Sequence, residues 1–257
     1  MLILLSPAKS LDFDTPPHLP DYSQPEFVAE SKRLIRRLRE LAPSDLASLM
    51  GVSDALAELN VARYASWSTP FTPGNAKPAV LAFDGDVYEG LDANALSAAD
   101  LHYAQAHVRI LSGLYGVLRP LDLIQPYRLE MGTRLDNPRG KDLYAFWGTQ
   151  IAEAVNAAVR ASGSQTLVNL ASDEYFRAVG ARRVEGDLVQ PVFEDWNKGK
   201  YKVVSFYAKR ARGLMARHAV QARLNDVEGL KGFAAEGYAY APEASTGERW
   251  VFRRRLE

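Results

Sequence analysis

The sequence predicts one mixed α/β domain, with a central, mostly buried sheet surrounded by helices. Apolar, strand-like runs are scattered among helical patterns along the whole chain. No stretch has the composition of a linker, and the sequence contains no internal repeat. A chain of 257 residues is also long enough to bury about 70–75% of the surface of its unfolded form. Residues 1–257 are therefore predicted to form a single domain.

The first part of the chain predicts a buried strand followed by helices. Residues 2–5 are all apolar and predict the strand, and the proline-rich segment that follows, to Tyr22, predicts a loop. Ser23 and Glu26 have the spacing of a capping box at the start of a helix. Helices are predicted over residues 23–41, over 43–50 and, after a break at 51–53, to about Trp67.

The remaining elements alternate between strands and helices. Residues 79–83 are a short apolar run that is typical of a strand covered on both faces, and the glycine-bearing segment 84–91 predicts a turn or loop. Ser97 caps a predicted helix that runs to about His107. The other predicted elements are helices at 141–161 and 209–223 and strands at 166–170, 188–193, 201–207 and 248–253.

The charge of the chain is balanced overall but uneven along its length. The 31 lysine and arginine residues equal the 31 aspartate and glutamate residues, which excludes binding to nucleic acid or membrane through net charge alone. Residues 196–225, here called the basic segment, contain no carboxylate. Its eight cations are Lys198, Lys200, Lys202, Lys209, Arg210, Arg212, Arg217 and Arg223.

The basic segment also contains Tyr201, Phe206 and Tyr207. Cations beside aromatic rings suit a phosphate backbone with exposed bases, or a nucleotide. The alternative is a solvated helix face next to an edge strand that lysines protect from pairing.

Two glycine-containing turns are candidates for a phosphate-binding hairpin. Residues 46–60, within the helical region 44–66, place Gly51, Val52 and Ser53 between two short helices, as in a helix-hairpin-helix that holds DNA through backbone N–H groups. An ordinary helical hairpin in the core is the alternative, because nearby acidic residues would oppose a polyanion. The competing turn, at 113–118, is followed by Arg119 and Arg128, and its alternative is a purely structural turn.

Polar clusters follow three of the predicted strands. Lys9 and Ser10 come after the first strand, Asp84 and Asp86 after the run at 79–83, and residues 172–175 after the strand at 166–170. Loops at the carboxyl ends of strands collect ligands in α/β proteins. Each cluster alone is compatible with a turn and a helix cap, but together they predict a shared polar cleft.

Several classes of function are excluded or weakened. The chain has no cysteine, so disulfides, thiolate nucleophiles and cysteine-ligated clusters are excluded. Its four histidines lack metal-ligand spacing, and no P-loop or dinucleotide-binding fingerprint is present. The five apolar residues at the start are too short for a signal peptide, and no run approaches the roughly 18 apolar residues of a membrane helix. We therefore expect a cytoplasmic protein without cofactor or bound metal.

Taken together, five blocks of the sequence closely resemble the YaaA peroxide stress protein family. They are Ile3–Ser10, Ala82–Leu91, Leu111–Gly132, Asn169–Phe176 and Ser205–Met215. The resemblance spans essentially the whole chain. It implies a cytosolic bacterial protein that protects against hydrogen peroxide, is linked to lowering unincorporated iron and tolerating DNA damage, and binds DNA through a positively charged cleft and a helix-hairpin-helix in a single-domain fold of the family's own.

The resemblance favours particular residues for the DNA-binding cleft. The block Ala208–Arg212 supplies Lys209, Arg210 and Arg212, and Lys9, Ser10, Arg119, Arg128 and Arg217 are added to them as phosphate ligands. The hairpin at Gly51, Val52 and Ser53 is preferred as the helix-hairpin-helix. A direct role in iron chemistry would require a weak carboxylate site, hypothesised at Asp84, Asp86, Asp173 and Glu174.

A second class of function is compatible with the same residues. An enzyme that acts on a nucleotide, a base or another small phosphorylated molecule would use side chains that converge from the strand-end loops. The side chains expected to converge are Lys9, Ser10, Arg119, Arg128, Asp173 and Glu174. A small enclosed cleft would favour this alternative, and a broad open groove would favour DNA binding alone. A protein-interaction factor whose basic face meets an acidic partner is the third possibility.

Overall fold

An eight-stranded sheet forms the centre of the protein, which a computed structural model describes for residues 1–255. Within these residues the twelve strands are Leu2–Leu5 (β1), Ser10–Leu11 (β2), Lys77–Pro78 (β3), Phe83–Asp84 (β4), Val108–Ser112 (β5), Gly116–Leu118 (β6), Leu123–Ile124 (β7), Thr166–Asn169 (β8), Asp187–Asn197 (β9), Lys200–Lys202 (β10), Ala239–Tyr240 (β11) and Arg249–Arg254 (β12). Eight of them form the central sheet, whereas β2 pairs with β4 and β3 with β7 in two separate two-stranded sheets.

Helices connect and surround these strands. The α-helices are Val28–Leu38 (α1), Pro43–Met50 (α2), Asp54–Ser66 (α3), Ala79–Ala82 (α4), Asp86–Leu91 (α5), Ala98–His107 (α6), Leu143–Trp147 (α7), Gln150–Ala161 (α8), Asp173–Val179 (α9) and Ser205–Gln221 (α10). Short 3₁₀ helices lie at Ala93–Ala95, Ala181–Arg183, Val227–Gly232, Ala235–Gly237 and Pro242–Ala244. The predicted fold class, a single mixed α/β domain around a central sheet, is confirmed.

The order of strands in the sheet creates a switch point beside β1. The order is β11-β12-β9-β8-β1-β5-β6, with β10 also paired to β9. β1 pairs in parallel with β5 on one side and with β8 on the other. All four residues of β1 are buried, as expected for a strand covered on both faces. Ligands of α/β proteins bind at the carboxyl ends of the strands where the order reverses in this way.

Two segments predicted as strand and loop are helical. Residues 79–83, predicted as a strand, form α4 followed by an extended Phe83, and residues 84–91, predicted as a turn or loop, contain α5. The backbone N–H groups of Ala79 and Val80 donate to the carbonyl oxygens of Asp122 and Pro120. Because these distant carbonyls satisfy the first turn of α4, the helix depends on a contact that a local pattern does not contain.

The capping box predicted at Ser23 is absent from the structure. The Ser23 hydroxyl donates instead to Asp122 Oδ1 at 2.6 Å, and the Ser23 backbone exchanges hydrogen bonds with Leu121 and Leu123. Since these tertiary contacts hold Ser23 in an extended bridge, the helix begins only at Val28.

Two other boundaries differ from their predictions. The helix predicted over 141–161 is divided into α7 and α8 by Gly148, which has a left-handed φ of 56°. The strand predicted over 201–207 is the three-residue β10, because α10 begins at Ser205.

Helices α5 and α10 cross with their backbones in contact. An ideal Cβ on Gly90 would lie 2.3 Å from the carbonyl oxygen of Arg210, and one on Gly213 would lie 1.8 Å from that of Val87. Glycine is therefore required at both positions for this approach. The crossing fixes the position of α10, the helix that carries much of the basic segment.

Candidate functional site

A cavity of about 420 Å³ lies where the parallel strands β1 and β8 end. Residues 6–10, 84–88 and 127–130 line it, together with part of the segment after β8 and with Lys209 and Arg212 of α10. This strand-end cavity is at the switch point of the sheet, and its volume is in the range of sites that hold small molecules.

Hydroxyl groups join three walls of the strand-end cavity. The Ser172 backbone N–H donates to Ser6 Oγ at 2.8 Å, and the Ser6 hydroxyl donates to Ser172 Oγ at 3.3 Å. The Tyr88 hydroxyl donates to the Ser6 carbonyl oxygen at 2.9 Å. These bonds tie the loops after β1 and β8 to each other and to α5, so the cavity is held by direct contacts between distant parts of the chain.

Two glutamates on the cavity wall are held in different ways. The Gly132 backbone N–H donates to Oε1 of Glu174 at 2.8 Å. Glu130 forms ion pairs with Lys9 at 2.9 Å and with Arg128 at 3.1 Å. Within residues 1–255, Oε2 of Glu174 receives no protein donor, so this oxygen is available to accept a hydrogen bond from a ligand.

The cations of the cavity are only partly neutralised. In the part of the chain that the structure describes, neither Lys209 nor Arg212 pairs with a carboxylate. Burial lowers the pKa of Arg212, and the nearby negative charge of Asp173 acts in the opposite direction. Nε of Arg128 is buried and has no hydrogen-bond partner among the described residues. Since a guanidinium withdrawn from water needs an anion or hydrogen-bond acceptors, the cavity is suited to an anionic ligand.

Three buried tyrosines add apolar surface to the same cavity. Burial raises the pKa of Tyr88, Tyr127 and Tyr175 well above the ordinary value for a phenol. They are therefore uncharged near neutral pH, and the hydroxyl of Tyr127 shares a hydrogen bond of 2.6 Å with Ser112 Oγ. The cavity combines aromatic rings with charges of both signs.

The cavity gathers many of the residues that the sequence indicates for phosphate binding. Those that line it are Lys9, Ser10, Arg128, Lys209 and Arg212, and Glu174 lies with them. They come from the loops after β1 and β8, from the 127–130 segment and from α10, so the structure brings together side chains that are far apart in the sequence. Asp173 acts on Arg212 through its charge.

The other arginine candidates, and Arg223 of the basic segment, have acidic partners. The ion pairs are Arg119–Asp122 at 2.9 Å, Arg210–Glu236 at 2.8 Å, Arg217–Asp92 at 2.6 Å and Arg223–Asp100 at 3.7 Å. Three of the four arginines in the basic segment therefore meet carboxylates from outside it. Arg119 holds the buried Asp122 instead of joining the strand-end cavity.

The predicted helix-hairpin-helix lies in a helical hairpin made by α2 and α3. Gly51 ends α2 with a left-handed φ of 61°, and Ser53 directly precedes α3. Near the other end of α3, the Tyr64 hydroxyl donates to the backbone carbonyl oxygen of Arg128. The hairpin thus contacts the cavity wall through Tyr64, and the DNA-binding role of residues 51–53 stays a prediction.

Residues 196–202 form a β-hairpin, here called the lysine hairpin, between β9 and β10. Its turn residues, Lys198 and Gly199, have left-handed φ angles of 50° and 86°, as a two-residue type I′ turn requires. Trp196 lies opposite Tyr201 in the strand pair, with 5.0 Å between the ring centroids.

The lysine hairpin and the start of α10 expose both cations and rings. Lys198, Lys200 and Lys202 are exposed, and none pairs with a carboxylate within residues 1–255. Phe206 is 56% exposed and Tyr207 is 40% exposed, and Lys209 follows within one helical turn. Lysines without a carboxylate partner in the described chain, together with partly exposed rings, therefore extend along the chain from the hairpin to the strand-end cavity.

The carboxylates hypothesised as a weak metal site are not gathered into a cluster of three or more ligands in the described residues. Across residues 1–255, no group of three or more histidine, aspartate or glutamate side chains is arranged to hold a metal ion. Asp84, Asp86 and Glu174 line a common cavity. The hypothesis of a weak site at Asp84, Asp86, Asp173 and Glu174 stays a prediction, which a measurement of divalent-metal binding in solution would test.

The segment after β1 is held to the core by a buried lysine. Lys77, whose side chain is 6% exposed, lies 3.4 Å from the carboxylate of Asp12 and donates to the Asp12 carbonyl oxygen at 2.8 Å. The pKa of Asp12 falls from 3.8 to about 2, chiefly because the Thr15 backbone N–H donates to its carboxylate.

Replacing Asp12 by asparagine is expected to lower the free energy of unfolding at pH 7 by about 1–2 kcal/mol. A depressed pKa stabilises the fold above the unfolded value of 3.8, and this stabilisation is lost as pH falls towards 2. Urea unfolding at several pH values should therefore show the two proteins converging between pH 4 and 2. Asp14→Asn is the control, and a constant Asp12→Asn deficit across this range would contradict the prediction.

The sequence did not single out Glu130 or the three tyrosines. Buried tyrosines are indistinguishable in a sequence from ordinary core residues. A signal for Glu130 did exist, since residues two apart in an extended chain point to the same side, and Arg128 and Glu130 are both half-buried between buried neighbours. The alternation of buried and half-buried side chains over Tyr127–Glu130 therefore places Glu130 on the same side of the chain as Arg128.

These features define a mixed α/β protein with a charged, ligand-sized cavity at the switch point of its sheet. Within residues 1–255 no helix has the length and apolar character needed to cross a membrane. The chain belongs to the peroxide stress protein YaaA family, because the family model described as "Peroxide stress protein YaaA" matches residues 1–244. Membership confirms the predicted family and supports a general role in oxidative stress.

Similar proteins match over nearly their whole length. A UPF0246 protein of Dechloromonas aromatica is 62% identical over 255 residues, with 99% of each chain covered. A UPF0246 protein of Ralstonia nicotianae is also 62% identical over 255 residues, with 99% of each chain covered. One from Paraburkholderia xenovorans is 62% identical over 258 residues, which cover 100% of this chain and 99% of the relative.

Proposed function

We propose that the protein serves in the cytoplasmic response to hydrogen peroxide by binding DNA without sequence preference. The observation that supports this most directly is the stretch of exposed rings and of lysines unpaired within the described residues, which runs from the lysine hairpin to the start of α10. Lysines bind DNA phosphates with release of counterions, and aromatic rings stack on unpaired bases. The implied lowering of unincorporated iron belongs to the proposal as an indirect effect.

The lysine hairpin is proposed as the main DNA contact and the α2–α3 hairpin as a second one. Backbone N–H groups at residues 51–53 would face a phosphate without reading the base sequence. Asp54 and Glu58 of α3 oppose a polyanion there, and both side chains are exposed. The three lysines of the hairpin, by contrast, form no ion pair with a carboxylate within residues 1–255, and Asp195, which lies opposite Lys202, is paired with Arg254.

Changing Lys198, Lys200 and Lys202 together to glutamine is expected to weaken binding to all DNA sequences alike. Each lysine that neutralises a phosphate contributes about 0.9 to the slope of log affinity against log salt, so three should reduce its magnitude by about 3. Fluorescence anisotropy of labelled duplexes of unrelated sequence, titrated at a series of salt concentrations, measures this slope.

The matched control removes three exposed cations from a different surface. Lys32, Arg33 and Arg36 lie on the exposed side of α1, and their change to glutamine alters the net charge by the same amount. We expect this control to keep nearly the wild-type slope. Equal losses in the two triple variants would show that binding depends on overall charge and would exclude the lysine hairpin as the contact.

Catalysis on a small phosphorylated molecule is a second candidate function. The observation that favours it is the strand-end cavity, where Lys9, Arg128 and Glu174 reach one small volume. The test is to incubate the protein with nucleotides and sugar phosphates and to look for products by ³¹P NMR. Turnover by the wild type that is lost in Glu174→Gln would support catalysis, and absence of any product would count against it.

A further inference from the structure

We propose that the strand-end cavity binds one nucleotide unit, with its phosphate beside Lys209 and Arg212 and its base between the tyrosines and Glu174. Such a unit comes either from a DNA strand, in which case the inference rests on the proposed DNA binding, or from a free nucleoside monophosphate. Both sources present the same phosphate, sugar and base to the cavity.

The size and place of the cavity suit a single nucleotide. Its volume of about 420 Å³ is in the range for one small molecule, whereas even the major groove of a duplex is about 12 Å wide. A base that is paired and stacked in a duplex cannot reach the inside of such a cavity. A nucleotide within DNA would therefore have to rotate out of the helix to enter.

The two cations that α10 contributes to the cavity suit the phosphate of a nucleotide. Lys209 is exposed and Arg212 is half-buried on the same side of α10, one turn apart, and neither has a carboxylate partner within the described chain. Guanidinium and ammonium groups placed together in this way bind phosphate strongly.

The negatively charged and aromatic side chains of the cavity suit the base. Oε2 of Glu174 has no protein donor among residues 1–255, and carboxylates accept hydrogen bonds from the exocyclic amino groups of bases. The rings of Tyr88, Tyr127 and Tyr175 line the same space and offer aromatic surface to a base. An inorganic phosphate would use the cations alone, so the whole lining is explained better by a nucleotide.

The route from the DNA surface to the cavity follows α10. Phe206 and Lys209 are one helical turn apart, and Arg212 lies one turn further, inside the cavity. A strand held by the lysine hairpin and stacked on Phe206 would thus place the next phosphate at Lys209. The fixed crossing at Gly90 and Gly213 holds this helix in register with the cavity wall.

The test uses duplexes with a single 2-aminopurine opposite a mismatch, because the fluorescence of this base rises when it leaves the stack. With saturating wild-type protein we expect a rise of severalfold. Ala8→Phe, which fills the cavity from the loop after β1, should abolish the rise and change duplex affinity less than twofold. Glu174→Gln keeps the acceptor for Gly132 N–H and should reduce the rise, whereas the exposed Glu153→Gln should not.

A calorimetric titration with the four deoxynucleoside monophosphates forms the second arm. Binding by the wild type that Ala8→Phe weakens at least tenfold would support the cavity for the free ligand, and inorganic phosphate should bind more weakly. DNA binding without a fluorescence rise and without binding of monophosphates would overturn the inference but retain the proposed function. If the protein bound monophosphates but not DNA, the inference would be retained for the free ligand and the proposed DNA-binding function would be overturned. An equal rise in the wild type and in properly folded Ala8→Phe would exclude this cavity as the site of the extruded base.

Discussion

Asp195→Asn is expected to lower the free energy of unfolding by about 3–5 kcal/mol, because it removes the carboxylate from a buried ion pair. Asp195 and Arg254 have side chains that are only 8% and 5% exposed, and Nε of Arg254 donates to Oδ1 of Asp195 at 2.6 Å. For a domain of this size the loss corresponds to a fall in Tm of roughly 10 °C.

The surroundings of this pair explain why removing one partner strongly destabilises the fold. The Tyr238 hydroxyl donates to Oδ2 of Asp195 at 2.9 Å, and the Arg254 guanidinium lies over the rings of Tyr207 and Tyr238 at 4.7 and 4.4 Å. Burial, followed by the hydrogen bond to Asp195, raises the pKa of Tyr238, which keeps this donor uncharged. In the Asp195→Asn variant, Glu236 is the carboxylate that remains near Arg254, at 3.5 Å. It neutralises the buried guanidinium only in part.

Urea unfolding and thermal melting at pH 7 measure the effect, with Glu185→Gln as the control. Arg160 and Glu185 form an exposed pair, so its loss should cost less than about 1 kcal/mol. The double variant Asp195→Leu with Arg254→Met should recover much of the stability, because it leaves no buried charge. If Asp195→Asn is as stable as Glu185→Gln, the buried pair makes no special contribution. Asp195 directly precedes Trp196, the first residue of the lysine hairpin. The variants that stay folded therefore also show how the buried ion pair affects the base of that hairpin.

Elements whose causes are local could be predicted from the sequence. β1 and β8 are apolar runs buried in the sheet, and Ser97 does cap α6 by accepting from the Asp100 backbone N–H. α4 and the extended Ser23 could not be predicted, because the carbonyl and carboxylate groups that fix them belong to residues 120–122. The hydrogen-bond partners, rather than the propensities, decided these segments.

The candidate site shows the same division. Lys9 and Glu174 lie in the segments that follow β1 and β8, and that position alone suggested a cleft. Whether an arginine of the basic segment stays free depends on partners that are remote in the sequence: Arg217 pairs with Asp92 and Arg223 with Asp100. No local pattern distinguishes these arginines from Arg212.

The ion-pair partners of the basic segment divide its cations into two groups with different roles. Its arginines largely meet carboxylates from the acidic remainder of the chain, such as Glu236 and Asp100, which anchor α10 to the domain. Its lysines have no carboxylate partner within residues 1–255, either at the hairpin or at the cavity. The net positive charge of the segment therefore combines an anchoring role with a binding surface, and only the second belongs to the proposed DNA contact.

Gly213→Ala is expected to destabilise the protein by about 3 kcal/mol or more, although alanine is the better helix former by about 1 kcal/mol. The added Cβ would lie 1.8 Å from the carbonyl oxygen of Val87 and 2.8 Å from the backbone nitrogen of Leu91. Both neighbours are backbone atoms of α5, so no side-chain rotation relieves the overlap and the two helices must move apart. Lys209 and Arg212 would then shift relative to the loops after β1 and β8.

The sign of the change in Tm shows whether close packing or helix propensity dominates at Gly213. If α5 and α10 were loosely packed, Gly213→Ala would raise Tm, since alanine restricts the unfolded chain and favours the helix. Gly232→Ala is the matched control, because within the described chain its ideal Cβ meets no atom within 4 Å beyond its chain neighbours, and its φ is not left-handed. Thermal melting should show a large loss only in Gly213→Ala. Duplex binding by the fraction that stays folded should then be weakened as well, because the backbone contact that positions the cations of α10 has been opened.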